Sequence, residues 1–475
     1  MSRQLLETDQ KALEINLNNS IYGTFAEIGA GQEVARHFFQ VGAAAGTIAK
    51  TMSAYDKVVS DKIYGLEKSG RYVCEPRLYK MLDHEYVLMS DRLRQQRPGA
   101  RFFVFANSIA AVNYTRTIKG NGWMGVRFQL NPDSEPNDLV LHVKMKDKDN
   151  TLQQQAIGIL GVNMIYACYK YYKEPETMLQ SLIDGLHGRV EIDMVRLTGP
   201  DFTDLDNRLL SLYLIRNKIC KVTMFGKDKA PIHGSEFLYR KNPLLVRGSF
   251  RPITHVNWDM IHSGTEQFRE DLENPDKLYQ LTEITLENLN RATELDEIDE
   301  ADFLQRADLL AELEQTVVLT QLEDQTELIK YLKDFKVEQV GIVIGVRDLM
   351  NIVHLKYESA KSRNHLETFG KLFKKNASFY VYPAFQEGSS EIMNSDNMPV
   401  PEDIKFLFKY LKEIRQIVDI QNYNQDILHI FSWRVLQKIK NDEAGWEQEV
   451  PQKVADLIKK EKLFGYPIKH IEFKY

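Results

Sequence analysis

Residues 247–260 read RGSFRPITHVNWDM, and nine consecutive positions of this stretch hold Arg247, Gly248, Ser249, Arg251, Thr254 and His255. An apolar run, Leu244-Leu245-Val246, leads into it, and a helix is expected after it. A strand that runs into a Gly/Ser turn and then a helix brings backbone N–H groups and the positive end of the helix to one point, which suits a phosphate. Gly248 would let a phosphate approach the backbone. Ser249 would donate a hydroxyl hydrogen bond, and Arg247 and Arg251 would neutralise charge. Thr254 and His255 would reach the same anion from the start of the helix and are the candidate catalytic groups. Arg240 and Lys241 are expected to add to a local basic cluster. The alternative is a structural turn of similar shape.

Other spacings point to weaker candidates. Glu27-x-Gly29-x-Gly31 opens an expected helix in the manner of a methyltransferase motif, with Asp56 as a loosely placed ribose acid. The strand that should precede it, IYGTFA, reads as too broken by glycine to be central. Asp201, Asp204 and Asp206 gather before a helix, where capping is the plain role and a Mg²⁺ or ribose contact the functional one. Asn107 and Ser108 follow a strand candidate, a usual ligand position in α/β sheets. The 11 histidines are scattered, and no metal-ligand spacing emerges.

The elements that would position these groups follow from the pattern of the chain. Its 475 residues are 43% hydrophobic and 27% charged with net charge −6, an ordinary globular composition without the basic field of a nucleic-acid binder. Three separated cysteines form no disulfide framework. No signal peptide is expected, and AIGILGVNMIYACYKYY (156–172) reads as a buried helix rather than a membrane span, so a cytoplasmic protein without membrane or nucleic-acid partners is expected. The fold class expected is α/β: alternating strand–helix units with mostly parallel sheets, plus helical N- and C-terminal segments. The boundaries expected are a helical region 1–95, an α/β domain 96–264, an acidic helical connector 265–312, and a βαβ domain 313–475 with C-terminal helices. PVPEDIKFLFKYLKEIRQIVDI is expected to be one helix.

The motif Gly248-Ser249-Phe250-x-Pro252-Ile253-Thr254 resembles the nucleotide-binding motif of the nicotinamide-nucleotide adenylyltransferases. Arg251 stands where that family has Asn, and Asn257 where it has its final His. The resemblance implies a Rossmann-like sheet, ATP and Mg²⁺ as cofactors, and adenylyl transfer to a mononucleotide. The whole chain also resembles a widespread family of bacterial cytoplasmic proteins. Two other readings stand beside this one: a non-catalytic, self-assembling homo-oligomeric scaffold, and an S-adenosylmethionine-dependent methyltransferase.

Overall fold

A computed structural model describes residues 3–29, 31–68, 70–115, 119–290, 298–322, 325–359, 365–373, 376–386 and 388–467. Residues 291–297 of the expected connector and 468–475 of the closing segment lie outside the described residues, as do Arg116, Thr117 and Glu387. The chain divides into two compact units, 1–223 and 224–475.

The first unit is built on six strands: β1 (Ile21–Gly29), β2 (Ile48–Ser53), β3 (Arg101–Ala110), β4 (Asn121–Phe128), β5 (Asn137–Met145) and β6 (Val190–Thr198). Their order is β2-β1-β3-β4-β5-β6. β1 runs parallel to both β2 and β3, whereas β3, β4, β5 and β6 pair antiparallel in turn. The expectation of mostly parallel sheets is therefore corrected: the sheets are mixed. β3, β4 and β5 follow one another through short connections, which antiparallel neighbours allow and parallel ones do not.

A second correction concerns the helical N-terminal segment. IYGTFAEIG is an interior strand with eight of its nine residues buried. Gly23 does not break it, because Gly23 pairs with Phe103 of β3 and a Cβ placed there would fall 2.3 Å from the Phe103 ring. The glycine makes room for an aromatic neighbour.

Helices cover both faces of this sheet. Leu78, Met81 and Leu82 of the helix Glu75–Leu93 pack with Phe102, Val104 and Val140. On the other face lies Asn150–Lys170, apolar on all sides as the 156–172 stretch suggested. Gly161 lets it approach the helix Val34–Gln40, since a Cβ there would lie 2.4 Å from Val34.

The second unit has β7 (Val222–Phe225) at its start, then β8 (Pro231–Ile232), β9 (Asn242–Arg247), β10 (Leu278–Thr285), β11 (Val317–Thr320), β12 (Val340–Gly345) and β13 (Ala377–Tyr382). A small hairpin, β14 (Ala384–Phe385) and β15 (Ile392–Met393), precedes β16 (Ile417–Asp419). The main sheet has the order β16-β13-β12-β9-β10-β11-β7-β8. From β16 to β11 every pair is parallel, and beyond β11 lie β7 and β8, which pair antiparallel with each other. Residues 265–312, read as an acidic helical connector, contain β10, an interior strand paired on both sides. PVPEDIKFLFKYLKEIRQIVDI is not one helix: the helix ends at Glu413, and Ile417–Asp419 form β16.

Taken in chain order, the six parallel strands lie as 3-2-1-4-5-6, the doubly wound arrangement in which strand order reverses beside the first strand. That strand is β9. Its helix, His255–Asp271, is held at two points by β13: Tyr382 Oη donates to Asp259 at 2.5 Å and Tyr380 Oη to Asp271 at 2.8 Å. Among the described residues, no helix is long and apolar enough to cross a membrane.

Candidate functional site

β9 ends at Arg247, so the Gly248-Ser249 turn sits at the carboxyl end of the first parallel strand, next to β10 and β12. The six residues singled out there do converge on one turn. Their local roles differ from those expected.

Gly248 faces the ring of Phe250. A Cβ at 248 would lie 2.8 Å from that fully buried ring. Phe250 itself has φ 47°, in the left-handed region, which tips its ring back over the glycine. A larger side chain at 248 would be driven into Phe250. Thr254 is 1% exposed and forms a capping box with Asn257, each side chain accepting the other's backbone N–H. The N–H of His255 donates to the carbonyl of Glu449 at 2.9 Å. The first and third amides of the helix are thus already satisfied. Ser249 is exposed, and its carbonyl accepts from Arg306 at 3.1 Å. Burial lowers the pKa of the partly exposed His255 ring from its ordinary value, which favours the neutral imidazole.

Both arginines of the turn meet carboxylates. Arg247 makes a bidentate pair with Glu283 at 2.8 and 2.8 Å, and Glu283, 1% exposed, also accepts the Thr320 hydroxyl at 2.8 Å. This pair ties β9, β10 and β11 together at their carboxyl ends. Burial opposes the charge on Arg247, but Glu283, with Asp348 and Glu287 also near, raises its pKa above the ordinary value. Arg251 pairs with Asp302 at 2.5 Å. Arg306 binds the same Asp302 and donates to the carbonyls of Ser249 and Asn288, both at 3.1 Å. Burial lowers the pKa of Arg306, Asp302 opposes the shift, and the nearby Arg251 adds to it.

Arg240 and Lys241 do not belong to this cluster. They precede β9 and stand at its opposite end, roughly 20 Å away at ~3.3 Å per residue. Glu283, Asp302 and Arg306 went unnoticed in the sequence. The one local signal for two of them is the acid–base spacing of four between Asp302 and Arg306 on the helix Glu300–Glu312.

In the first unit, Glu27 lies at the carboxyl end of β1. It is 3% exposed and accepts the Val34 N–H at 3.1 Å. Asn107 locks the following loop: it accepts from Ile28 N–H at 3.2 Å and donates to the Gly31 carbonyl at 2.9 Å. A Cβ at Gly31 would strike Asn107 at 2.2 Å. Burial pushes the Glu27 carboxyl up to about 8. Asp56, the expected ribose acid, caps the helix Lys57–Tyr64 through Val59 N–H. Asp206 likewise caps Asn207–Arg216, and Asp201 accepts from Asn137 at 2.8 Å. Asn107 and Ser108 are buried within β3 rather than beyond it.

No protein-family model matches the chain, and no curated protein matches it. Among solved structures it is similar to the competence/damage inducible protein CihA from Agrobacterium tumefaciens, at 13% identity and TM-score 0.24, over 35% of this chain and 98% of that one. It is also similar to a competence-damaged protein (CinA) superfamily protein from Escherichia coli, at 14% identity and TM-score 0.23, over 38% and 94%. Likeness at this level carries no argument about function.

Proposed function

We propose that the crevice at the carboxyl ends of the second unit's parallel strands binds a nucleotide, with a phosphate at the turn Ser249–Arg251. The observation that supports this reading is a coincidence of place. The Gly-Ser turn follows the strand beside which strand order reverses, and crossovers leaving such a point in opposite directions open a crevice there. Ser249 supplies an exposed hydroxyl, Arg251 a guanidinium, and His255 an imidazole. Thr254 serves as a helix cap, and Gly248 as room for Phe250. The reading is one of binding. Adenylyl transfer would fall to His255, whose imidazole is partly exposed.

ATP with Mg²⁺ is tested by what surrounds the turn. Arg247 and Arg251 are already paired, and two of the first three helix amides are occupied, so the turn does not fit a triphosphate.

The test is calorimetric titration with adenosine monophosphate, with ATP plus Mg²⁺ and with nicotinamide mononucleotide. The same titrations on Ser249→Trp place a bulky group at an exposed position without touching the core. Micromolar binding that weakens by about tenfold or more in the variant supports the site. The reading fails if no nucleotide gives heat, or if Ser249→Trp binds as tightly as the parent chain.

A second reading, self-association, is favoured by one surface. Phe406, Tyr410 and Ile414 are 85%, 55% and 43% exposed and recur every fourth residue on and just past the helix Lys405–Glu413, whose Phe408 and Leu411 face the core. Sedimentation velocity on Phe406→Ser/Tyr410→Ser tests it: a parent assembly that the variant dissolves supports this reading, and a monomeric parent ends it.

A further inference from the structure

We infer that two copies of this chain pair through the helix Lys405–Glu413, antiparallel about a two-fold axis near Tyr410, and close as a dimer instead of growing as an open assembly. This rests on the self-association reading above and goes beyond it by fixing the orientation of the partner and the size of the assembly.

Phe406, Tyr410 and Ile414 form one row on the side of the helix turned away from the buried Phe408 and Leu411. Ile414 continues the row past the helix end, because its N–H still donates to the Tyr410 carbonyl at 3.0 Å. Single exposed apolar residues are ordinary on a protein surface, whereas a contiguous row of large ones marks a contact face. Residues four apart stack into a ridge along a helix, and such ridges are what two packed helices set against each other.

The occupant is argued from charge. Beside the apolar row runs a second one, Lys405, Lys409 and Glu413, with side chains 63%, 75% and 65% exposed. It is basic at its N-terminal end and acidic at its C-terminal end. Within the chain these charges are loosely held: Lys405 reaches Glu402 at 3.3 Å, and Lys409 reaches Glu413 at 4.0 Å. Exposed pairs of this kind contribute little, so exchanging them across an interface costs little.

A two-fold axis across the helix lays each row against its own reverse. Phe406 then meets Ile414 of the second copy, Lys405 meets Glu413 of the second copy, and each contact occurs twice, as an isologous interface requires. Parallel copies would set Lys405 against Lys405 and Glu413 against Glu413. Lys409 lies near the axis, where its long stem lets the ammonium turn to water. Because the face is used up by its own copy, nothing is left on it to extend the assembly. A standard interface draws on about 20–30 residues a side, and one helix face supplies fewer, so a Kd of about 10 μM or weaker is expected.

The experiment is sedimentation velocity on the full chain up to about 300 μM, with Lys405→Glu, Glu413→Lys and the double variant, all at exposed positions. The parent is expected to exchange between monomer and dimer with nothing larger. Each single reversal sets like charges opposite each other twice and is expected to weaken the dimer about three- to tenfold. The double variant restores opposite charges and is expected to regain the parent's affinity. A dimer indifferent to both reversals, or one the double variant fails to restore, overturns the antiparallel pairing and leaves self-association standing. Species larger than a dimer overturn the closure in the same way. A parent that stays monomeric throughout overturns both.

Discussion

Replacing Glu27 by Gln should flatten the pH dependence of the first unit's stability. Glu27 sits inside the sheet–helix interface at 3% exposure. Burial disfavours its charge and pushes its carboxyl from 4.5 to about 8; the amides of Val34 and Ala35 pull the other way, the Glu33 charge adds to the rise, and Asn107 opposes it. The folded state therefore prefers the neutral acid. A group raised in the folded state gives its full stability below the unfolded value and loses it as pH climbs to the folded one. Between 4.5 and about 8 that loss amounts to ~5 kcal/mol, at ~1.4 kcal/mol per pH unit. Glutamine keeps the shape and an acceptor for the Val34 N–H, and it does not titrate. The assay is urea unfolding at several pH values, read by pulse hydrogen exchange on the segments 21–29 and 101–110, which report this unit alone. Near pH 5 the two proteins should be similarly stable. Near pH 8 the variant should be the more stable by several kcal/mol, up to ~5. Parallel pH profiles for parent and variant would refute the reasoning, because Glu27 would then ionise as freely folded as unfolded.

Two further outcomes are expected. Gly248→Ala should lower the stability of the second unit by ~1–3 kcal/mol by pressing on Phe250, whereas Ser249→Ala should change it by less than ~0.5 kcal/mol; calorimetric melting of both variants checks this, and equal melting temperatures would contradict it. Lys11 is 1% exposed and bonds Asp184 at 2.6 Å and Asn163 at 2.8 Å. Lys11→Met should cost ~3 kcal/mol, the low end for breaking a buried pair because Arg3 still neutralises Asp184; urea midpoints measure it, and a cost near zero would show that the pair adds nothing.

The sequence alone determined much of the local structure. LLVR, VVLT, VGIVIG and ASFYVY are continuous apolar or β-branched runs, and each is a strand of the second unit's sheet, because a strand buried on both faces needs no polar alternation. The buried helix at 150–170 and the convergence of Arg247, Gly248, Ser249, Arg251, Thr254 and His255 on one turn were equally legible, since neighbours in sequence share a turn whatever the rest of the chain does. What the tertiary structure decided is who stands opposite. IYGTFAEIG reads as a broken strand until Phe103 is set against Gly23. β10 reads as part of an acidic helical stretch until β9 and β11 flank it. The arginines of the turn read as free cations until Glu283, 36 residues from Arg247, and Asp302, 51 residues from Arg251, arrive beside them. Spacing along the chain fixes periodicity and turn chemistry. Partners brought by strand pairing from tens of residues away carry no local signal, and they set the charge at the turn.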